Sequence, residues 1–236
     1  MSYDLSLDLY VDGANLAEIA TSRKNPLVKG FTTNPTLMRQ AGISNYLEFA
    51  KTACSIVDPL PLSLEVFADT ADEIVEQAKR IANLGSNVFV KIPVTTTKRE
   101  SLATTIKELS YSGVKLNVTA IMTVEQVEEV CNALNPDCEA IISVFAGRIA
   151  DAGVDPLPIM AQSAEFVHRS SLHKLLWASP REILNAVQAE QSGCDIITMT
   201  ADLWKKLPSL GKNLSDFSLE TVKMFYGDAA SAGYQI

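Results

Sequence analysis

Lys91 stands in the middle of an apolar run, SNVFVKIPV at residues 86–94. Val88, Phe89, Val90, Ile92 and Val94 read as a buried strand. An ammonium group inside such a strand is costly unless it is paired, reaches water, or has its pKa lowered and does chemistry. A desolvated lysine can lose its proton near neutral pH and attack a carbonyl carbon to form a Schiff base. The alternative is a buried ion pair with Glu65 or Asp12. Spacing alone leaves both readings open.

Other polar residues share the same placement. Within the apolar runs the residues alternate with a period of two, as strand side chains do. Leu7, Leu9 and Val11 have one parity, and Asp8, Tyr10 and Asp12 the other. Leu62, Leu64 and Val66 alternate with Ser63 and Glu65, Leu116 and Val118 with Asn117 and Thr119, Ile142 and Val144 with Ile141, Ser143 and Phe145. Leu176 and Ala178 alternate with Trp177 and Ser179. One apolar parity is expected to face helices, and the other to carry the polar residues late in each strand. Asp12, Glu65, Lys91, Asn117, Thr119, Ser143 and Ser179 would then converge on one mouth. Any one of them could be an ordinary strand end reaching water, but seven on one side need a common cause.

The elements that must position them alternate along the chain. Strands are expected at 5–12, 27–33, 60–68, 86–94, 114–121, 139–146, 173–179 and 194–200. Helical patterns fall at 14–22, 43–57, 70–85, 98–112, 123–134, after Pro158, and at 180–193, 201–207 and 218–233. Thr70 and Glu73 have the spacing of a capping box, with Gly85 closing that helix. About eight strands, most followed by a helix, in 236 residues predict one (β/α)8 TIM barrel over 1–236 with a C-terminal helix at 215–233. That helix would pack on the barrel or on a neighbouring subunit. An open doubly wound sheet is the competing fold, but no glycine-rich fingerprint follows the first strand and no Walker motif occurs.

Composition narrows the function. A hydrophobic content of 47% can fill a large core, and a net charge of −8 disfavours nucleic acid and anionic membranes as partners. No signal peptide and no run of roughly 20 apolar residues is found, so a cytoplasmic location is expected. Four cysteines without a C-x-x-C pair and two histidines argue against a zinc site and for reduced thiols filling the core.

The stretches FTTNPT (31–36), FVKIPVT (89–95), SVFAGRIAD (143–151) and ASPRE (178–182) resemble the transaldolase family. They are closest to its short branch, which includes fructose-6-phosphate aldolases. The resemblance runs from LYVDGAN (9–15) to FSLETVKMFYGDAASAGY (217–234), and TTNP with a downstream VKIP is its specific combination. It implies a (β/α)8 barrel with Lys91 as the Schiff-base lysine and Asp12 as the carboxylate that moves the C4 hydroxyl proton. It implies that Glu65 and Thr119 position a catalytic water, that Thr32 and Asn34 line the site, and that Asn117 and Ser143 hold the dihydroxyacetone hydroxyls. Arg148, Arg181 and Ser179 match a phosphate grip. The chain departs from the pattern at Gly13, where Thr or Ser is common, and at Pro180, where an aromatic is common. Arg181 in the first turn of a helix would be poorly placed against the helix dipole unless it binds an anion.

The implied reaction is transfer of a dihydroxyacetone unit between sugar phosphates, in the pentose phosphate pathway. Sedoheptulose 7-phosphate and glyceraldehyde 3-phosphate would give erythrose 4-phosphate and fructose 6-phosphate. The alternatives are a lyase releasing dihydroxyacetone from fructose 6-phosphate, and a barrel that binds sugar phosphates without catalysis. The aldolase members carry Gln and Tyr where this chain has Glu65 and Phe145, which points to transfer. No metal or organic cofactor is implied, since the imine is the electron sink. Short members of the family form rings of five or ten subunits, so a homo-oligomer is expected.

Overall fold

The computed structural model describes residues 5–235. The extreme ends of the expected 1–236 domain, residues 1–4 and 236, lie outside the described residues. The strands are β1 (Asp8–Asp12), β2 (Val28–Thr32), β3 (Leu62–Glu65), β4 (Val88–Pro93), β5 (Leu116–Ile121), β6 (Ala140–Val144), β7 (His173–Trp177) and β8 (Ile196–Met199). Each pairs in parallel with its neighbour in sequence, and β8 pairs with β1 to close a barrel. The expected (β/α)8 fold is the observed one.

Two apolar layers hold it. Outward-facing residues such as Leu9, Leu64, Val90, Ile92 and Leu116 join the core beneath the helices. Full burial of one such side chain contributes about 1.5–3 kcal/mol. Inside the barrel, Tyr10, Phe89, Ile141, Leu176 and Ile196 form a separate apolar plug. Gly30 leaves room for the Tyr10 ring, which a Cβ at that position would overlap. Above this plug the inward positions turn polar.

The parity expected for β7 is reversed. Leu176 and Ala178 face the barrel interior, and Trp177 faces the helices. Ser179 still reaches the mouth, because its left-handed backbone (φ 61°) turns the chain just beyond the strand.

The helices are α1 (Leu16–Ser22), α2 (Pro35–Gln40), α3 (Tyr46–Val57), α4 (Ala71–Ala82), α5 (Ala103–Tyr111), α6 (Val124–Ala133), α7 (Ala146–Asp151), α8 (Pro156–Val167), α9 (Leu184–Gln191), α10 (Ala201–Trp204) and α11 (Leu214–Ala232). The sequence pattern missed α2 and α7, two short helices directly after strands. It also placed several helix starts wrongly. α5 begins at Ala103 rather than 98, because Thr95 and Ser101 bridge across a loop. α8 begins at Pro156, with the Asp155 side chain capping Leu157 N at 3.0 Å. The capping box forms at Thr123 and Gln126 on α6, not at Thr70. Thr70 Oγ1 instead donates to the Glu73 side chain at 2.7 Å, and α4 ends at Ala82, short of Gly85. α11 has no buried residue.

Candidate active site

The C-terminal ends of the strands enclose a cavity of about 510 Å³. Ten of the twelve residues expected at the site line it: Asp12, Thr32, Asn34, Glu65, Lys91, Thr119, Ser143, Phe145, Arg148 and Ser179. They come from seven of the eight strands or from the residues that follow them. The mouth of a (β/α)8 barrel gathers such residues because every strand ends there.

Lys91 and Glu65 face each other across the β3–β4 register, where they are direct partners. Lys91 Nζ lies 2.9 Å from Glu65 Oε1 and donates to Thr33 O at 2.5 Å. Both side chains are buried, so this is an ion pair inside the barrel. The ion-pair reading of Lys91, with Glu65 as the partner, is therefore the observed one. The lysine is paired, and it also reaches the cavity.

Asp12 is held on the other side of the floor. Thr32 Oγ1 donates to its Oδ1 at 2.9 Å, and Asn34 Nδ2 approaches its Oδ2 at 3.2 Å. The Asn34 amide is fixed by a second task. Its Oδ1 caps α2 by accepting from Leu37 N at 2.9 Å, which turns the NH2 toward Asp12. Thr198 of β8 lies 2.5 Å from Thr32 Oγ1. Because Thr32 gives its own hydrogen to the carboxylate, Thr198 is the donor in that contact. Burial pushes the Asp12 carboxyl above the ordinary carboxylate range. The Lys91 charge and the Thr32 hydrogen bond pull it back in part, while Glu65 raises it further.

Thr119 sits on a β-bulge. Three steps along β5, from Val118 to Ile121, match two steps along β6, from Ile142 to Val144. The extra residue is accommodated at Ala120, whose φ of 62° is left-handed. Such a bulge re-aims the side chain beside it. Thr119 Oγ1 is buried and finds no hydrogen-bond partner among the described residues. A buried hydroxyl without a partner costs about 1–3 kcal/mol, so this position calls for a water or a substrate atom.

Two expected residues lie elsewhere. Asn117 is fully buried beneath the cavity wall. Its Nδ2 donates to Ser63 Oγ at 2.9 Å and its Oδ1 accepts from Ser143 Oγ at 2.7 Å. It orients Ser143 rather than lining the cavity. Arg181 turns away and pairs with Asp151 of α7, its Nε 3.0 Å from Asp151 Oδ1. It is also not in a helix. The Asn185 side chain accepts from Arg181 N at 2.7 Å and from Glu182 N at 3.1 Å, and α9 starts only at Leu184. The helix-dipole argument for Arg181 therefore does not apply, and Pro180 is not a first-turn residue. Arg148 projects from α7 with its guanidinium 5.5 Å from the centre of the Phe145 ring.

Thr33 and Thr198 were missed by the sequence reading. Thr198 shares its parity with Ile196, so the alternation test applied to β8 would have found it. Thr33 carries no such signal, because it acts from the loop just beyond β2.

A buried lysine–carboxylate pair and a second, raised carboxylate at the mouth of a (β/α)8 barrel are groups that can serve carbonyl and proton-transfer chemistry. The chain belongs to the Transaldolase/Fructose-6-phosphate aldolase family, whose sequence profile matches residues 9–235. A protein of Dehalococcoides mccartyi named "Probable transaldolase" is 34% identical over 192 residues, 81% of this chain and 85% of that one. "Probable transaldolase 2" of Listeria monocytogenes is 34% identical over 215 residues, 89% of this chain and 94% of the relative. The chain is thus an enzyme of the transaldolase family. Among solved structures, a dihydrodipicolinate synthase family protein from Coccidioides immitis matches with a TM-score of 0.64. It covers 100% of this chain and 81% of its own at 11% identity, a likeness of fold alone.

Proposed function

We propose that the protein is a transaldolase that moves a dihydroxyacetone unit between sugar phosphates through an imine on Lys91. Sedoheptulose 7-phosphate and glyceraldehyde 3-phosphate would give erythrose 4-phosphate and fructose 6-phosphate, as in the pentose phosphate pathway. The observation that carries this reading is the pair of Lys91 with Glu65 at the cavity floor, facing the raised carboxyl of Asp12.

The steps follow from the groups present. Glu65 takes a proton from the Lys91 ammonium, directly or through a water held with Thr119. The free amine adds to the ketone carbon of the donor. Glu65 returns the proton to the carbinolamine hydroxyl, which leaves as water, and a protonated imine remains. Asp12 then accepts the C4 hydroxyl proton as the C3–C4 bond breaks. The bond's electrons pass into the imine and give a neutral enamine on Lys91. An aldose phosphate takes the three-carbon unit by the reverse steps. Ser143, braced by Asn117, holds a hydroxyl of that unit. Arg148 and Ser179 meet the terminal phosphate, and Arg181 joins them by leaving Asp151.

Phe145 and Glu65 favour transfer over hydrolysis. Phe145 offers no hydroxyl to protonate the enamine, and an ionised Glu65 accepts rather than donates. No cofactor enters these steps. The proposed setting is the cytoplasm. Among the described residues, no helix is long and apolar enough to cross a membrane. The proposed assembly is a homo-oligomer of five or ten subunits joined through α11, whose Leu214, Phe217, Val222, Phe225 and Tyr226 are exposed.

Two measurements test the reading. Borohydride with fructose 6-phosphate should add mass to the peptide carrying Lys91 and abolish activity. Labelling at another lysine, or none with activity kept, removes the imine assignment. Fructose 6-phosphate should react far faster with erythrose 4-phosphate present than without it. Equal release of dihydroxyacetone in both cases makes the protein a lyase.

A further inference from the structure

Thr33 is the residue, among those described, that hydrogen-bonds to both charged groups of the Lys91–Glu65 pair. Its carbonyl accepts from Lys91 Nζ at 2.5 Å, and its Oγ1 lies 2.8 Å from Glu65 Oε2. It is wholly buried. Its single hydroxyl hydrogen has a second acceptor, Ser63 O at 2.9 Å. That carbonyl already receives Thr33 N–H at 3.2 Å, so it does not depend on the hydroxyl. Glu65 Oε2 has no other partner among the described residues. An ionised carboxylate therefore draws the hydroxyl to itself. When Glu65 has taken the lysine proton, the hydroxyl can turn to Ser63 O without being stranded.

We propose that Thr33 is a positioning residue for this site, whose hydroxyl sets the basicity of Glu65 and whose carbonyl aims Lys91. The inference rests on Lys91 as the imine-forming lysine. The Thr33 hydrogen bond to Glu65 Oε2 steadies the carboxylate, so the other oxygen, Oε1, stays trained on Lys91 while it receives and returns one proton. Donation to an anion also lowers its affinity for a proton. The charged and titratable groups around Glu65 are Lys91 from β4, Asp12 from β1 and the Tyr46 phenol from α3, and all three remain when the Thr33 hydroxyl is removed.

The test is the rate of borohydride trapping of Lys91 with fructose 6-phosphate, followed across pH. Thr33→Val should slow trapping by about 10- to 100-fold, the size of one hydrogen bond to a charged group. It should also move the acid limb of the profile to higher pH, because the carboxylate then binds a proton more readily. Thr33→Ser keeps the hydroxyl and should restore both rate and limb. Thr33→Cys, with only a weak donor, should behave like Thr33→Val and serves in its place if that variant does not fold. In a Glu65→Gln background, Thr33→Val should add little further loss, since residues acting through one another are not additive. Thr33→Val or Thr33→Cys trapping at the wild-type rate with an unmoved limb overturns the proposal. So does full multiplication of the two losses in the double variant. Wild-type protein that traps no imine removes both this inference and the function it rests on, whereas a trapping wild type with unaffected variants removes this one alone.

Discussion

Replacing Arg181 with alanine tests the proposed phosphate grip apart from the chemistry, and the Arg181–Asp151 pair sets the size of the expected effect. Arg181 is bound to Asp151 and is not aimed at the cavity. Gripping a phosphate means exchanging that carboxylate for the ligand. The pair is about half exposed on both sides, 48% and 53%, so breaking it costs little. Exposed pairs contribute about 0.2–1 kcal/mol, while a charged hydrogen bond to phosphate contributes about 1.5–3 kcal/mol. The phosphate wins by a net of about 0.5–2.8 kcal/mol, which corresponds to about 2- to 100-fold in KM. Arg181→Ala should therefore raise the KM for fructose 6-phosphate by that factor and leave kcat for an unphosphorylated ketose donor unchanged. Asp151→Asn should act in the opposite direction, lowering the KM for the phosphorylated donor by about 1.4- to 5-fold, because the competing anion is gone. Steady-state kinetics on both donors with both variants reads the two effects. Equal losses on phosphorylated and unphosphorylated donors with Arg181→Ala would refute the phosphate role. A KM that rises with Asp151→Asn would show that the ion pair builds the pocket instead of withholding the arginine from it.

Asp12→Asn should slow carbon–carbon cleavage by about 10²–10⁴-fold while Lys91 is still trapped by borohydride, and unchanged turnover would assign that proton to another group. The Asp12 carboxyl is raised in the folded state, so it favours folding at low pH and this contribution is lost as pH rises through its folded value. Asp12→Asn should therefore raise Tm at pH 7, with the gain shrinking as pH falls and vanishing below about 4, the unfolded value, where the carboxyl becomes neutral in both states. The acid limb of wild-type kcat/KM should likewise sit above the ordinary carboxylate range. Gly147→Ala should cost about 1–3 kcal/mol of stability by calorimetry, since its Cβ would overlap the Ser179 carbonyl; a neutral result would mean that α7 and the β7 end can move apart. Phe145→Tyr, alone or with Glu65→Gln, should raise the ratio of dihydroxyacetone released to dihydroxyacetone transferred, and an unchanged ratio would separate these residues from the choice.

The barrel was legible in the sequence because its causes are local. Eight buried strands and the helices between them impose periods of two and of 3.6 on the apolar residues, and a closed parallel sheet is the compact way to bury them. The same alternation placed Asp12, Glu65, Lys91, Ser143 and Thr119 at the strand ends. It failed on β7 because a left-handed Ser179 makes the turn that strict alternation would have assigned to parity. α2 and α7 were missed because each has six residues, too few to show a period.

Contacts between distant parts of the chain were decided by tertiary structure alone. Lys91 meets Glu65 and the Thr33 carbonyl because β2, β3 and β4 are neighbours in the closed barrel. Asn117 looks like a ligand-binding residue in sequence, yet its position one layer below the mouth makes it a support for Ser143. Arg181 and Asp151 lie 30 residues apart, and only the approach of α7 to the loop beyond β7 pairs them. The sequence determines which groups exist and, in the strands other than β7, which face they occupy. Depth in the barrel and choice of hydrogen-bond partner depend on shear, bulges and turns summed around all eight strands, and these are properties of the closed sheet.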